Sequence, residues 1–104
     1  MSEYKIVIEK TAENDLLGIL SYISDNLHEP GTAFRIYGSI KKEILTLCKM
    51  PFRYSVLNEE PYSSLGVRGI PVENYIAFYV VDETEKTVHI FRILYNRREW
   101  QYLL

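Results

Sequence analysis

The sequence predicts an α+β fold in which a helical hairpin packs on one face of a twisted, mostly antiparallel sheet, in the order β-α-α-β-β-β. Two apolar stripes at helical spacing occupy residues 12–48, and three strand-like runs occupy residues 65–94. One further strand-like run precedes the stripes. Helices that are segregated from most of the strands along the chain are typical of this class. The 104 residues contain no internal repeat or linker, so we expect a single domain over residues 1–104.

The first half of the chain carries the predicted hairpin. Residues 4–8 alternate as a short strand, and Thr11 is the predicted helix N-cap, because its hydroxyl can accept a first-turn N–H. The first stripe consists of Ala12, Leu16, Ile19, Leu20, Ile23 and Leu27. Pro30-Gly31 is expected to break the chain, and the second helix is expected to begin after Thr32 and to end before Pro51. Its stripe consists of Ala33, Ile36, Tyr37, Ile40, Ile44, Leu47 and Cys48.

The second half carries the remaining strands. Residues 51–65, which are rich in proline, serine and acidic side chains, predict a loop. Residues 65–72 predict a strand in which Pro71 must lie at an end or an edge, because proline cannot donate to a ladder. Residues 75–81 are apolar on both faces and predict a central strand. Residues 88–94 alternate and predict the last strand.

Composition limits the classes of function. The formal net charge of −2 argues against a protein that grips nucleic acid by bulk charge alone. The charge is uneven, because four of the five cations in residues 66–104 are arginines, namely Arg68, Arg92, Arg97 and Arg98. One cysteine allows no intrachain disulfide and fits a reducing cytoplasm. No apolar run approaches the roughly 20 residues of a membrane span, and no signal peptide is evident, so we expect a cytoplasmic protein with no membrane partner.

Most chemically competent residues predict no site. His28 and His89 are isolated, so we expect no metal, and Cys48 lies on the apolar stripe of the second helix, where inert packing is expected. No glycine-rich phosphate loop is present, so we expect no cofactor. Arginines and aromatic residues instead cluster near the strand ends and in the tail, where they predict either surface ion pairs or a recognition site: Arg68, Arg92, Tyr95, Arg97, Arg98, Trp100 and Tyr102.

Arg92 is the hardest of these residues to assign to a solvated surface. It is predicted to share a strand face with Val88, Ile90 and Leu94. A lone charge buried among those side chains would cost several kcal/mol. We therefore expect Arg92 to be either a buried, paired cation or a group that lines a cleft.

Short motifs follow one another over nearly the whole length of the chain: Tyr4-Lys5-Ile6, Ala12-Glu13-Asn14-Asp15-Leu16, Tyr22-Ile23, Pro30, Ala33, Leu47 to Pro51, Leu65-Gly66-Val67-Arg68, Asn74-Tyr75-Ile76-Ala77-Phe78-Tyr79 and Ile93-Leu94-Tyr95-Asn96-Arg97-Arg98-Glu99-Trp100. In their order and spacing, these motifs resemble the RelE/ParE superfamily of bacterial toxins from type II toxin–antitoxin systems. The resemblance implies the same β-α-α-β-β-β fold. It also implies a growth-inhibiting toxin of the plasmid stabilisation type, held inactive by a cognate antitoxin.

Two activities occur in this superfamily. RelE-like members are ribosome-dependent mRNA endonucleases in which the ribose 2′-OH attacks the adjacent phosphodiester, and cations stabilise the pentacovalent phosphorane. Of the phosphate-facing cations that this activity needs, the resemblance matches Arg97. The other candidates for that activity are Arg68 and Arg92 as further cations and Tyr95 as the proton donor, with Tyr102 as the other tyrosine able to donate. ParE-like members instead inhibit DNA gyrase, and for that activity we expect target contacts from the tail residues Arg97, Arg98, Trp100 and Tyr102.

The sequence departs from the ribonuclease pattern and favours the ParE-like branch. RelE-like enzymes usually carry an arginine just after the aromatic residue of the central strand, and here Ile76 occupies that position. The lysines of their preceding strand also have no equivalent. Gyrase inhibition is therefore the favoured hypothesis, mRNA cleavage on the ribosome the alternative, and a scaffold that binds an antitoxin without toxicity the third. We expect antitoxin contacts on the helical hairpin and the sheet surface, including Arg92.

Overall fold

The computed structural model describes residues 3–96 and 104, and it confirms the predicted fold class. In chain order the elements are β1 (Lys5–Ile8), α1 (Lys10–Ser21), a π-helical turn (Tyr22–Asn26), α2 (Pro30–Leu45), a 3₁₀ turn (Thr46–Cys48), α3 (Tyr62–Leu65), β2 (Arg68–Val72), β3 (Tyr75–Asp82) and β4 (Thr87–Tyr95). Helices α1 and α2 form the predicted hairpin on one face of the sheet.

The sheet has the strand order β1-β4-β3-β2. β1 runs parallel to β4, from the pair Lys5–Thr87 to the pair Ile8–Ile90, and the other neighbouring strands are antiparallel. β3 is an inner strand, as its two apolar faces predict. β2 is an edge strand, so the missing N–H of Pro71 leaves no gap inside the sheet.

A β-bulge interrupts the pairing of β3 with β4. Phe78 pairs with Arg92 whereas Tyr79 pairs with Ile90, so Phe91 is an extra residue on β4. A bulge of one residue exchanges the faces of the residues that follow it. The prediction that Arg92 shares a face with Val88 and Ile90 is therefore wrong, because the alternation changes phase at the bulge. Leu94 follows the bulge and lies on the same face as Arg92, as predicted.

Apolar side chains form two clusters, one on each face of the sheet. The helix-side core joins the hairpin to the sheet through the buried residues Ala12, Ile23, Ala33, Ile36, Ile40, Ile44, Leu47, Ile70, Val72, Ala77, Tyr79, Val88, Ile90 and Ile93. The outer-face cluster contains the buried residues Val67, Phe78 and Leu94, against which pack Leu57, Tyr62, Ile76, Val80, Phe91 and Leu104. The outer face is thus covered by the segment before β2 and by Leu104.

Several predicted boundaries differ from the structure. α1 begins at Lys10, and its N-cap residue is Glu9 rather than Thr11. Its apolar stripe continues past Ser21 as a π-helical turn, closed by Leu27 N–H donating to the Tyr22 carbonyl at 3.1 Å. Pro30 is the first residue of α2 rather than part of an interruption before it. The N–H that proline lacks would have no hydrogen-bond partner inside the helix in the first turn. The predicted loop 51–65 also contains the short helix α3.

Candidate functional site

Arg68 lies at the start of the edge strand β2 and faces the helix side of the sheet. Its Cα partner is Tyr79, a member of the helix-side core. The guanidinium Nη1 donates to the carbonyl of Tyr54, and its Cζ lies 5.1 Å from the centroid of the Phe52 ring. Arg68 therefore fastens the segment after α2 to the sheet.

Arg92 is a paired cation, which is one of the two alternatives that the sequence leaves open. Its Nε lies 2.7 Å from Oδ2 of Asp15 and its Nη2 lies 3.1 Å from Oδ1, a bidentate pair. Asp15 also accepts the backbone N–H of Ile93 at 3.0 Å. The side chains of Arg92 and Asp15 are 24% and 16% exposed, and the hydrogen bond to Asp15 raises the pKa of Arg92.

Asp15 takes the place of a partner strand where β1 ends. β1 pairs with β4 only as far as Ile90, so the next part of β4 has an edge without a neighbouring strand. Asp15 on α1 accepts the Ile93 N–H that points from this edge, and it holds Arg92 in place. The pair therefore closes an open strand edge with a carboxylate.

Tyr95 ends β4 on the helix side of the sheet. Its ring meets the ring of its cross-strand neighbour Tyr75 edge-on, with centroids 5.7 Å apart. Burial raises the pKa of Tyr75, and the nearby Tyr95, Glu73 and Tyr22 add to the rise. Both rings line a groove of about 750 Å³ beside the π-helical turn.

The three described members of the arginine and tyrosine set do not converge. Arg68 faces the helix side, whereas Arg92 pairs with Phe78 of the outer-face cluster. Tyr95 lies four residues along the sheet and two strands away from Arg68, which separates their Cα atoms by about 16 Å at about 3.3 Å per residue and about 4.8 Å per strand. The other predicted site residues, Arg97, Arg98, Trp100 and Tyr102, lie outside the described residues.

An apolar groove of about 510 Å³ lies between α1, α2 and β1. Its floor includes Ile6 and Ile8, and its walls include Leu17 and Tyr37, which are 59% and 41% exposed. Nearby on α2, Phe34 is 81% exposed. Neither Leu17 nor Phe34 was a predicted site residue. The sequence did indicate them, because Leu17 and Phe34 are apolar residues next to members of the two apolar stripes. They make each helix's apolar face wider than its contact with the sheet core requires.

The described residues offer little for other kinds of site. Across residues 3–96 and 104, no group of three His, Cys, Asp or Glu side chains is placed to hold a metal ion. His89 lies 2.6 Å from Glu9, Nδ1 to Oε2, and that contact joins β4 to the start of α1. No helix in the described part of the chain is long and apolar enough to cross a membrane.

Solved structures share this fold. One is the chromosomal ParDE system of P. aeruginosa, with a TM-score of 0.74 and 21% identity over 91% of this chain and 98% of that one. Another is the RelBE2 toxin–antitoxin complex of Mycobacterium tuberculosis, with a TM-score of 0.67 and 22% identity over 90% and 99%. A third is an arginine-substituted mutant of E. coli toxin RelE in the free state, with a TM-score of 0.60 and 12% identity over 99% and 93%.

Sequence comparison identifies the family. No protein with a curated description matches the chain significantly. Residues 6–100, however, match the family described as the ParE toxin of the type II toxin–antitoxin system parDE. This match spans most of the chain and includes every described strand and helix except the first residue of β1. The chain belongs to the ParE toxin family and is the toxin component of a type II toxin–antitoxin system.

Proposed function

We propose that this toxin inhibits growth in the cytoplasm by binding DNA gyrase rather than by cutting RNA. The observation that carries the proposal is the separation of Arg68, Arg92 and Tyr95. A metal-free ribonuclease needs a base, an acid and a phosphate-binding cation within hydrogen-bond reach of one phosphodiester. Arg92 already forms an ion pair with Asp15, and the Cα atoms of Tyr95 and Arg68 are about 16 Å apart.

The surroundings of Ile76 support the same proposal. RelE-like enzymes usually place an arginine at this position. Here the side chain packs against the outer-face cluster, beside Phe78 and Leu94. Two residues along β3, Phe78 is fully buried. A covered, apolar environment of this kind does not stabilise the developing charge of a phosphorane, and this supports target binding over RNA cleavage.

The tail is the proposed target-binding element. Arg97, Arg98, Trp100 and Tyr102 bring together arginine, tryptophan and tyrosine, the residue types that dominate binding energy at protein interfaces. Such a set binds a protein surface without any acid–base chemistry. We expect single substitutions at Arg97 or Trp100 to cost about 2 kcal/mol of binding free energy each, or about 30-fold in affinity.

The apolar groove is the proposed site of the cognate antitoxin. Helices α1 and α2 form its two sides and β1 forms its base. An amphipathic helix can therefore bury its apolar face there against Leu17, Leu20 and Tyr37. Glu13 and Lys41 also line the groove and provide one charge of each sign for the polar flanks of that helix. Arg92 is held on the other side of α1 by Asp15, and we expect it to contribute less to the antitoxin contact than the groove does.

The target is tested by expressing the chain without antitoxin, following the DNA-damage response and the integrity of mRNA in the cell, and assaying purified gyrase with the purified chain. We expect a DNA-damage response, inhibited supercoiling by purified gyrase and intact mRNA. Trp100→Ala should raise the toxin concentration for half-inhibition of gyrase by about 30-fold. Codon-positioned mRNA cuts within minutes of induction would overturn the proposal in favour of a ribosome-dependent endonuclease. Unimpaired growth would instead show a scaffold without toxicity.

The antitoxin site is tested with two matched leucines. Leu17 lies in the groove and is 59% exposed, whereas Leu65 lies on α3 and is 66% exposed. Because both side chains are mostly exposed, we expect Leu→Glu at either position to leave the core packing intact. We expect Leu17→Glu to weaken binding of the antitoxin encoded beside the toxin gene by at least tenfold, and Leu65→Glu to leave it within twofold. Equal effects of the two substitutions would place the antitoxin elsewhere.

A further inference from the structure

We propose that a patch of cations in contact with aromatic rings, at one end of the sheet, binds single-stranded nucleic acid. This patch, the basic ladder, consists of residues from four segments: the residue before β1, the segment after α2, the start of β2 and the turn before β4. Its members are Lys86, Tyr4, Phe52, Arg68, Tyr54 and Arg53.

Each cation of the basic ladder lies over one aromatic ring. Lys86 Nζ lies 5.1 Å from the centroid of the Tyr4 ring and donates to its hydroxyl at 3.4 Å. The Tyr4 and Phe52 rings meet edge-on, with centroids 6.2 Å apart. Arg68 Cζ lies 5.1 Å from the centroid of the Phe52 ring. Arg53 extends the series with its Cζ 5.2 Å from the centroid of the Tyr54 ring.

Hydrogen bonds fix the backbone that carries these rings. The hydroxyl of the buried Tyr79 donates to the Pro51 carbonyl at 3.0 Å, next to Phe52. Arg68 donates to the Tyr54 carbonyl, which anchors the same segment two residues later. At the other end, Tyr4 N–H donates to the Cys48 carbonyl at 2.7 Å. The ladder is therefore held in shape before any ligand binds, which lowers the entropy cost of binding.

The ladder is a positive region on a chain of net charge −2. Within the described residues, Arg53, Arg68 and Lys86 form no ion pair with a carboxylate, whereas Arg35 and Arg92 are each paired with one. Asp82 at the end of β3 and Glu83 and Glu85 in the β3–β4 turn precede Lys86, so the positive region ends there. Three cations without a carboxylate partner on a rigid surface attract a polyanion.

The rings distinguish nucleic acid from an acidic peptide. An acidic peptide needs only the cations, because carboxylates gain nothing from an adjacent apolar ring. Single-stranded nucleic acid uses both features, because its phosphates meet the cations while its bases stack on exposed rings. Phe52 is 44% exposed, and Tyr4 and Tyr54 are half-buried. A cation already lies over each ring, so a base has to stack on the part of the ring that the cation leaves exposed, with its phosphate next to that cation.

Binding is measured by fluorescence anisotropy with the full chain and labelled 15-residue oligothymidylate and oligouridylate, at several salt concentrations. We expect both to bind, or one of them if the sugar is recognised as well. Phe52→Leu should weaken affinity by about 5- to 140-fold, the range for removal of one stacked base. Arg53→Gln with Lys86→Gln should lower the slope of log K against log salt by about 1.4, or about 0.7 for each phosphate that is no longer neutralised.

The matched control is Lys10→Gln with Lys42→Gln, which removes the same charge from exposed positions on α1 and α2. It should change the slope by less than about 0.3. Thermal denaturation of every variant checks that the fold is kept. Absence of binding to both oligonucleotides, or equal losses of affinity in the ladder and control variants, would overturn the proposal. Equal binding of polyglutamate, unaffected by Phe52→Leu, would overturn it in favour of an acidic peptide.

Discussion

Replacing Asp15 with alanine should destabilise the fold more than replacing any exposed acidic residue. The substitution leaves the guanidinium of Arg92 without its bidentate partner and the Ile93 N–H without its acceptor. Breaking a buried ion pair costs about 3–5 kcal/mol, and exposure of roughly a fifth of each side chain reduces that figure. Removal of the backbone hydrogen bond adds about 1 kcal/mol. We therefore expect a loss of about 3 kcal/mol.

The assay is urea denaturation of the refolded full chain, followed by circular dichroism. At about 4–8 °C per kcal/mol, the same loss corresponds to a fall in Tm of about 12–24 °C. Asp25→Ala is the matched control, because Asp25 is exposed and, among the described residues, accepts a hydrogen bond only from the Ser21 hydroxyl, at 3.2 Å. It should cost at most about 0.5 kcal/mol.

A double-mutant cycle separates the ion pair from the edge contact. Asp15→Asn keeps an oxygen for the Ile93 N–H but removes the charge, so it should cost less than Asp15→Ala. Combining Asp15→Ala with Arg92→Met removes the uncompensated cation and should recover part of the stability. A cost below about 1 kcal/mol for Asp15→Ala, or one equal to that of Asp25→Ala, would refute the assignment of this pair as the closure of the β4 edge.

Three further predictions concern stability. Burial raises the pKa of Tyr79 from 10.0 to about 12, so the neutral hydroxyl of Tyr79 stabilises the fold fully below pH 10, and this contribution is lost as pH rises through 12. Alkaline denaturation should therefore show about 2–3 kcal/mol of destabilisation, which Tyr79→Phe abolishes. Gly69→Ala should cost about 1 kcal/mol in urea denaturation, because its new Cβ would lie 3.0 Å from Cγ2 of Ile76, and no change would indicate that Ile76 shifts freely. Arg35→Ala breaks the exposed pair with Glu73 and should cost under about 1 kcal/mol, an effect that high salt also produces.

The order and type of the elements were predictable because they depend on local patterns. Apolar spacing located both helices of the hairpin, and the missing N–H of Pro71 placed its strand at an edge. The predicted start of α2 was wrong because a proline can either interrupt a helix or occupy its first turn. Only the packing of Ala33 and Ile36 on the sheet decides between these two possibilities.

The site was less predictable because it depends on contacts between distant residues. The partner of Arg92 is 77 residues away, and Asp15 reaches it only because β1 ends opposite Ile90. The extra residue at Phe91 leaves no sign in the alternation of residues 88–94, although it reverses the faces that follow. The basic ladder joins four separate segments, and of its cation–ring contacts only that of Arg53 with Tyr54 lies within one short window of sequence.

The place of β4 between β1 and β3 also determines when the sheet can form. Among the four described strands, the first along the chain pairs only with β4, which is also the last of the four to leave the ribosome. Until β4 has emerged, β1 is unpaired and both helices lack much of the surface they cover. The β1–β4 pairing spans about eighty residues, and such distant contacts form slowly because the loop must close first. Folding of the toxin is thus postponed until synthesis has passed Tyr95, and earlier nascent chains carry exposed apolar helix faces.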